Sequence, residues 1–301
     1  MKNNILKFWI VTPSYNQAKW LERCVASVCD QPSDNIHVHH HIQDACSTDG
    51  TIDFLKDWQV KVANHSNYTC SFSSEKDNGM YDAINIGWKK ANDDVDFIAH
   101  INCDEQYMPN ALSNIALAFS KNKTADVLLA DMLVVDETGR YICHRRSLKP
   151  YRFLSKLWCA GFTVSTFQRA SVIKDKKVLF DTDWKNIGDK VWYNSLHKAG
   201  IRFKVYNELV AIFTDTGENM NWTEQGMEEG IKYMETFLPY LKNNLRLLQK
   251  LSKINALRRW WREKSCKSPT QYEIFEQGSD TRVTKNITNP SWRWGKRAWK
   301  N

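Results

Sequence analysis

The chain has 301 residues, of which 42% are hydrophobic and 25% are charged, and its formal net charge is +8. This length fits one large domain or one domain with an extension, and the composition is that of an ordinary globular protein. The sequence has no apolar run of about 18 residues, so a transmembrane helix is not expected. The apolar stretch in "MKNNILKFWIVTP" is too short for a secretory signal and predicts a first strand.

The first 120 residues predict strands and helices in alternation. The segments "KFWIVTP", "NIHVHHHIQD", "YTCSFSSE" and "DFIAHI" are the predicted strands. Helices are predicted between them, and the third carries apolar residues from Met80 to Ala91 at offsets of 0, 3, 4, 7, 8 and 11. This order indicates an α/β fold with a Rossmann-like, mostly parallel sheet flanked by helices.

The pattern changes after residue 126. The segment "ADVLLADMLVVDETGRYICHRR" predicts two strands joined by a turn, and "FTVSTFQR" and "FKVYNELVAIF" predict further strands. The segment "GDKVWYNSLHKAG" predicts a helix that ends at Gly200. From about residue 223 the chain is predicted to be mostly helical, with an interruption at Pro239.

Acidic residues follow the predicted strands at their carboxyl ends, where parallel sheets bind ligands. Asp44 follows the second strand, and the adjacent Asp104 and Glu105 follow the fourth. Paired carboxylates repel each other unless a cation neutralises them, and Mg²⁺ and Mn²⁺ prefer such oxygen ligands. The alternatives are a solvated loop at Asp104 and a turn stabilised by its own carboxylate at Asp44.

Four ordered motifs carry a family resemblance: "VTPSYNQAKWLERCVASVCDQ", "IQDACSTDGT", "SEKDNGMYDAINIGWKKA" and "INCDEQYMPNAL". Together they resemble the family 2 glycosyltransferases of the GT-A fold. The segment "GMYDAIN" is similar to sequences of the family branch that builds bacterial surface polysaccharides such as O-antigen, lipopolysaccharide and colanic acid. The resemblance covers residues 7 to about 115 and continues more weakly to about 216.

The resemblance implies a nucleotide-sugar donor, with UDP favoured over GDP as the nucleotide, and inversion at the anomeric carbon. It implies that Pro13 and Tyr15 line the base pocket and that Asp44 accepts a hydrogen bond from the base. Asp77 and Asp82 match acidic positions near the nucleotide and the donor sugar.

The resemblance also implies a metal site and a catalytic base. Asp104 and Glu105 match the acidic pair that binds Mn²⁺ or Mg²⁺, and Asp104 also matches a donor-binding position. Asp189 matches the position of the base that deprotonates the acceptor hydroxyl, with Asp181 and Asp183 as the nearest rivals. The preceding Gly188 is expected to leave room for a substrate to approach. A residue such as Asp189 at the start of a helix also suits an N-cap or a favourable interaction with the helix dipole.

Three features depart from the family pattern. Glu105 replaces the usual second aspartate, Ala45-Cys46 replaces a Gly-Gly turn, and "FTVSTF" lacks the His-Gln that is common near the acceptor. Alternative functions are therefore a non-catalytic relative that binds a glycan or a partner, or a sugar nucleotidyltransferase. The segment "PSYNQ" argues against the second alternative, because it lacks the glycines of a phosphate-binding loop.

The C-terminal part differs from the rest in charge. Residues 241–301 hold 15 Lys and Arg against 4 Asp and Glu, and five of the 13 tryptophans. We therefore predict two parts, a GT-A domain over 1–222 and a helical, basic, Trp-rich extension over 223–301. The resemblance implies a lipid-linked glycan acceptor, which favours contact of this extension with the inner-membrane surface. The alternatives are a plain solvated tail, an acceptor site and a nucleic-acid patch.

The cysteines bear on the cellular compartment. Eight of them are scattered along the chain without a CxxC pair, which argues against structural zinc. Free thiols in a chain without an export signal predict a reducing cytoplasm, with peripheral contact to the cytoplasmic membrane.

Overall fold

The computed structural model describes residues 5–217 and 223–294. In its first part strands and helices alternate as predicted: β1 Leu6–Ser14, α1 Ala18–Cys29, β2 Ile36–Asp44, α2 Thr51–Val62, β3 Tyr68–Ser74, α3 Met80–Lys89 and β4 Phe97–His100. The strands β3, β2, β1 and β4 are adjacent in that order and run parallel. Their carboxyl ends therefore share one edge of the sheet.

The second part adds strands that run in both directions to the same sheet. Its elements are β5 Gln106–Tyr107, α4 Ala111–Lys121, β6 Val127–Asp136, β7 Tyr141–Arg145, α5 Arg152–Leu157, β8 Thr166–Arg169, α6 Ala170–Lys174, α7 Gly188–Lys198 and β9 Phe203–Asp215. The strand order continues from β4 through β8, β6 and β9 to β5, and β7 pairs with β6. The α/β fold is thus confirmed, as a mixed sheet whose N-terminal half is parallel.

The predicted strand over "FTVSTFQR" is only half correct. Thr163–Ser165 form a 3₁₀ turn, and the strand is limited to Thr166–Arg169. The hydroxyls of Ser165 and Thr166 both donate to the carbonyl of Phe162, at 3.3 and 2.7 Å. Such local side-chain bonds compete with the strand ladder and explain the turn.

Helix α3 lies close to strand β1 because a glycine faces the sheet. A Cβ atom at Gly87 would lie 2.5 Å from a methyl carbon of Val11. The Trp9 indole N–H also donates to the Gly87 carbonyl at 3.0 Å. The predicted apolar face of this helix is buried, with Ile84 and Trp88 almost inaccessible to solvent. The start of α3 is thereby fixed beside the carboxyl edge of the sheet.

The C-terminal extension is helical only as far as Lys264. It contains α8 Glu224–Phe237, α9 Pro239–Lys242 and α10 Leu245–Lys264, followed by an antiparallel hairpin of β10 Gln271–Phe275 and β11 Arg282–Asn286. The hairpin was not predicted. The predicted boundary at 222/223 adjoins residues 218–222, which lie outside the described residues. Trp299, one of the five tryptophans counted in the extension, lies outside them as well.

The extension packs firmly against the GT-A part. The Arg262 guanidinium on α10 donates to both carboxylate oxygens of the fully buried Asp131, at 3.1 and 2.9 Å. The Gln106 side chain exchanges two hydrogen bonds with the backbone of Phe275, at 3.1 and 2.9 Å. Arg282 on β11 donates to Asp30, the residue that follows α1. These contacts show why the hairpin is ordered, because its partners come from the main sheet and its flanking helix.

Candidate active site

The candidate site begins where β1 and β2 end side by side, with Ser14 opposite Asp44. Two hydrogen bonds tie the loops that follow: Asn16 N–H donates to Ser47 Oγ at 2.7 Å, and Thr48 N–H donates to Asn16 Oδ1 at 2.8 Å. Asn16 has a φ of +52°, a left-handed conformation. Such strain costs a non-glycine residue about 1–3 kcal/mol and is typical of functional loops.

Asp44 is fully buried and holds the turn that follows it. Its carboxylate accepts hydrogen bonds from Ser47 N–H at 2.9 Å, from Ser47 Oγ at 2.5 Å and from Ser74 Oγ at 2.6 Å. A carboxylate has about four acceptor positions, so one remains for a ligand. Cys46 has a φ of +61°, so the cysteine that replaces a family glycine keeps a conformation that favours glycine. The role of Asp44 in base recognition stays a prediction.

The ends of β1, β2 and β4 meet around the buried thiol of Cys103. This thiol donates to the Pro13 carbonyl at 3.3 Å. Burial raises the pKa of Cys103, and the nearby charges of Asp104 and Asp44 add to that effect. Pro13 itself is buried, whereas Tyr15 is 61% exposed. The Tyr15 ring therefore stands in solvent beside the site and can stack on a planar ligand.

Asp104 and Glu105 differ in their surroundings. Glu105 is 2% exposed, and its Oε2 accepts a hydrogen bond from Asn102 N–H at 2.8 Å. Asp104 is partly exposed. Burial raises the pKa of both carboxyls, and the charge of Asp104 raises that of Glu105 further. The Arg23 guanidinium offsets part of the effect at Asp104.

The pair fits a divalent cation as a partial ligand set. Burial disfavours the charged form of both carboxyls, and a hard cation would stabilise that form. Within residues 5–217 and 223–294, no three His, Cys, Asp or Glu side chains could together hold a metal ion. A cation at Asp104 would therefore need further ligands from substrate phosphates and water, as Mg²⁺ commonly does. In this conformation Glu105 supports the Asn102 turn, and its metal role stays a prediction.

Asp77 and Asp82 shape the loop before α3. Asp77 accepts from Gly79 N–H at 2.8 Å, and Asp82 accepts from Asn78 N–H at 3.0 Å. Burial raises the pKa of Asp77, with contributions from the charges of Asp82 and Asp44, and Lys185 acts in the opposite direction. The backbone N–H of Glu75 donates to the Asp44 carbonyl at 3.0 Å, so the segment that leads into this loop lies next to the Asp44 turn. Donor contact by Asp77 and Asp82 stays a prediction.

Asp189 lies in the first turn of α7, partly buried. Its carboxylate accepts from the backbone N–H of Lys190 at 2.7 Å, and the Cys159 thiol lies 3.9 Å away. Burial raises the pKa of Asp189, while the Lys190 hydrogen bond and charge lower it. A partly desolvated carboxylate with a raised pKa is suited to accept a proton. The rivals Asp181 and Asp183 are both exposed.

Gly188 was expected to leave room for substrate, and the structure shows a different reason for it. A Cβ atom there would lie 2.5 to 2.9 Å from the ring of Tyr81. The Tyr81 hydroxyl in turn accepts from Asp189 N–H at 3.2 Å. Helix α3 therefore connects two groups of candidate residues, because its residue Asp82 faces the donor loop while Tyr81 supports Asp189.

Sequence reasoning missed Lys185. Its ammonium group donates to the carbonyl of Asn78 at 2.5 Å, which brings a positive charge from the segment before α7 to the acidic loop. The lysine lies four residues before Asp189 in a polar segment, and its spacing alone gives no signal. A charge at this place can attract the anionic part of a donor.

Fold and site together define the class. A Rossmann-like sheet with added antiparallel strands, and carboxylates at the ends of its parallel strands, is the architecture of the GT-A glycosyltransferases. The family model for Glycosyl transferase family 2 matches residues 9–210. The chain therefore belongs to the family 2 glycosyltransferases.

Two curated relatives match most of the chain. A dolichyl N-acetyl-alpha-D-glucosaminyl phosphate 3-beta-D-2,3-diacetamido-2,3-dideoxy-beta-D-glucuronosyltransferase of Methanococcus voltae is 28% identical over 212 residues, which are 65% of this chain and 63% of that protein. The poly(ribitol-phosphate) beta-N-acetylglucosaminyltransferase TarS of Staphylococcus aureus is 21% identical over 220 residues. That match covers 72% of this chain and 37% of TarS, so the chain spans less than two thirds of either relative.

Solved structures agree on the fold. The structure of residues 1–349 of S. aureus TarS in complex with UDP-GlcNAc matches with a TM-score of 0.57 and 22% identity, over 76% of this chain and 64% of that one. The mannosyltransferase PcManGT of Pyrobaculum calidifontis, in complex with GDP-Man and Mn²⁺, matches with a TM-score of 0.56 and 15% identity, over 86% of this chain and 73% of that one. At these identities the similarity confirms the GT-A fold.

Proposed function

We propose that this chain is a metal-dependent, inverting glycosyltransferase of surface polysaccharide synthesis. It transfers a sugar from a nucleotide-sugar, with UDP favoured over GDP, to a glycan or lipid-linked glycan. The observation that carries the proposal is the grouping of Asp44 and Asp104 at one sheet edge, together with the partly buried carboxylate Asp189. The complexes of the two similar structures, one with UDP-GlcNAc and one with GDP-Man and Mn²⁺, support such a donor and metal.

The residues at the sheet edge would bind the donor. Tyr15 stacks on the base, and Asp44 uses its remaining acceptor position for a base N–H group. Asp104, with Glu105 beside it, would hold Mn²⁺ or Mg²⁺, which when bound supplies positive charge against the diphosphate leaving group. Lys185 supports the acidic loop near the donor. Asp104 is the ligand with the better access, since it is partly exposed.

Asp189 would act on the acceptor. Its carboxylate takes the proton from the acceptor hydroxyl while that oxygen forms the new bond to the anomeric carbon and the nucleotide leaves. One base suffices for this single displacement, and the anomeric configuration inverts. The backbone N–H of Lys190 fixes the carboxylate at 2.7 Å. Tyr81 and Gly188 fix the start of α7 against α3.

A thermal-shift titration tests donor and metal together. We expect UDP-sugars with Mn²⁺ to raise the melting temperature of the wild type, because ligand at about 100 times its Kd stabilises a protein by about 2.7 kcal/mol. Asp104→Asn should lose this shift, whereas Asp34→Asn, at an exposed carboxylate, should keep it. No shift with any UDP- or GDP-sugar, or an equal shift in excess EDTA, would contradict the proposal. Binding without transfer to any acceptor would favour the non-catalytic alternative.

We also propose that the extension contacts the anionic inner face of the cytoplasmic membrane. Leu247, Ile254 and Trp261 are spaced seven residues apart on α10 and are 37%, 50% and 63% exposed. Lys250 and Lys264 are exposed on the same side of the helix. An exposed apolar stripe bordered by lysines suits the headgroup boundary of a membrane. In the described residues no helix is both long and apolar enough to cross a bilayer.

Vesicle sedimentation tests this surface without removing the packed extension. We expect the wild type to bind vesicles with anionic lipids at low salt and the double variant Ile254→Ser, Trp261→Ser to stay in solution. A matched control is Val60→Ser, since Val60 on α2 is 79% exposed and lies outside the extension. Equal binding of the double variant and the wild type would refute this surface. Binding to DNA with steep salt dependence, without donor binding, would favour the nucleic-acid alternative.

A further inference from the structure

A pocket lined by arginines lies on the side of α10 that faces the GT-A part. It is formed by Arg145, Arg146, Arg259, Glu263 and Trp292. These residues come from the end of β7 and the segment after it, from α10 and from the chain after the hairpin. None of them belongs to the donor site described above, and the proposed function leaves the pocket without a role.

The pocket carries more positive charge than its own carboxylate can balance. Arg146 is 93% buried and already pairs with Asp131 at 2.9 Å, and Asp131 also pairs with Arg262. Glu263 pairs with His144 at 2.6 Å and with Arg146 at 3.8 Å. In the part of the chain that the structure describes, no carboxylate lies within 4.0 Å of a guanidinium nitrogen of Arg145 or Arg259.

Two buried nitrogen atoms in the pocket also lack acceptors. The Nε atoms of Arg145 and Arg146 have no hydrogen-bond partner in the described residues, and neither has the Glu263 Oε2, which lies 3.8 Å from the Nε of Arg146. Burial lowers the pKa of Arg259 to about 10, and the charge of Arg145 adds to this effect. Guanidinium groups stay charged at neutral pH, so their burial cost is offset only by an anion. Phosphate and carboxylate are the anions that the planar guanidinium fork binds best.

The pocket is connected to the candidate catalytic base. The Cys159 thiol, which lies 3.9 Å from the Asp189 carboxylate, is also close enough to Arg259 for the arginine charge to lower its pKa. Arg258, next in sequence, donates to the carbonyl of Lys149 and lies 4.9 Å from the Tyr151 ring. The Cys159 thiol thus lies near both Asp189 and Arg259.

We propose that Arg145, Arg146 and Arg259 bind a phosphate group of the acceptor, so that the acceptor is an anionic, phosphate-bearing glycan. This inference rests on the proposed function only where it identifies the bound molecule as the acceptor. The anion site itself is argued from the pocket alone. Two sources share the chemistry: a phosphodiester within a polymer, and the diphosphate that links a glycan to a polyprenyl lipid. Either one would place its phosphate on the arginines and a sugar hydroxyl towards Asp189.

The test measures binding of inorganic phosphate by isothermal titration calorimetry, with the nucleoside diphosphate that the donor screen identifies and Mn²⁺ present at saturation. The donor site is then filled, and phosphate reports on other sites. We expect Arg259→Gln to weaken phosphate binding at least tenfold, because one charge-assisted fork is lost. Arg259→Lys keeps the charge but loses the fork, and it should be intermediate. Lys253→Gln, at an exposed lysine of the same helix, should bind like the wild type.

The outcomes separate this inference from the proposed function. Equal phosphate affinity of Arg259→Gln and the wild type, or no phosphate binding by the wild type, would overturn the anion pocket while donor binding stands. Absence of donor binding in the wild type would instead overturn the proposed function. If Arg259→Gln does not fold, Arg145→Gln serves the same comparison, because the fork of Arg145 makes one hydrogen bond, to the Trp292 carbonyl.

Competition then identifies the source of the phosphate. A short polyphosphodiester and a polyprenyl diphosphate in detergent micelles are each titrated against bound phosphate. Displacement by only one of them, in wild type but not in Arg259→Gln, assigns the acceptor class. Displacement by neither would show that the pocket binds a free anion and would overturn the link to the acceptor.

Discussion

Replacing Asp189 by asparagine separates a catalytic base from a structural residue. Asparagine has the same size, and its Oδ1 can still accept the 2.7 Å hydrogen bond from Lys190 N–H. It cannot take a proton. A positioned general base contributes roughly 10²–10⁴-fold to the rate, equivalent to about 3–5 kcal/mol of barrier. We therefore expect turnover to fall by that factor while donor affinity with Mn²⁺ is unchanged.

The assay follows release of the nucleoside diphosphate under saturating donor and acceptor, and calorimetry gives donor affinity. Asp181→Asn and Asp183→Asn are matched controls, because both aspartates are exposed and precede α7. Near-normal turnover of Asp189→Asn would refute the reasoning and direct the search to those two residues. A loss of donor affinity in proportion to turnover would show that Asp189 is a donor ligand.

The same variant has a predicted pH dependence of stability. Burial raises the pKa of Asp189 above its ordinary value of 3.8, so the folded state binds this proton more tightly than the unfolded state. The contribution of Asp189 to stability is therefore full below pH 3.8 and is lost as the pH rises through the folded pKa. Asparagine has no such loss. Urea unfolding should show Asp189→Asn at least as stable as wild type at pH 7, with a smaller difference at pH 4; a less stable variant at pH 7 would identify a cap.

Three further predictions concern the surroundings of the site. Asp104→Asn should abolish the metal dependence of nucleotide binding, measured by calorimetry with and without Mn²⁺, and full activity of the wild type in EDTA would contradict it. Gly188→Ala should lower the free energy of unfolding by about 1–3 kcal/mol through overlap with Tyr81. Adding Tyr81→Leu should restore part of that loss in urea unfolding, and no restoration would refute the steric reason. Arg262→Gln should cost about 3–5 kcal/mol in urea unfolding, because it leaves Asp131 buried with one arginine; a loss below 1 kcal/mol would contradict it.

The sequence predicted the parallel half of the fold well, for a physical reason. Strands β1 and β4 are buried and largely apolar, and helix α3 has an apolar face at regular spacing. The hairpin after Lys264 could not be found in this way. Its strands alternate only over five residues each, and their partners, such as Gln106 and Asp30, lie more than 150 residues away in sequence.

The site was predictable in its residue types and less so in its contacts. Asp44 and Asp104 were predicted because they are acidic residues that follow predicted strands. The carboxyl edge of a parallel sheet, where ligands bind, is recognisable from the order of strands and helices. The role of Gly188 was wrongly assigned, because the ring that fills its space comes from Tyr81, more than 100 residues earlier. Lys185 was missed since a lysine in a polar segment carries no pattern of its own.

The two faces of α10 connect the membrane proposal with the acceptor proposal. On an α-helix, residues seven apart lie on one side, so Leu247, Ile254 and Trp261 form the outer stripe, while Arg259 and Arg262 point towards the sheet. A helix with its side chains is about 10–12 Å wide. If the outer stripe rests on a membrane, the arginine pocket lies about one helix diameter above the headgroups. A lipid-linked diphosphate would therefore have to rise from the headgroup boundary by that distance to reach the arginines, whereas a phosphodiester further along a glycan would not. Under both proposals the basic extension would serve acceptor capture as well as anchoring, through the buried arginines on one face of α10 and the exposed lysines on the other.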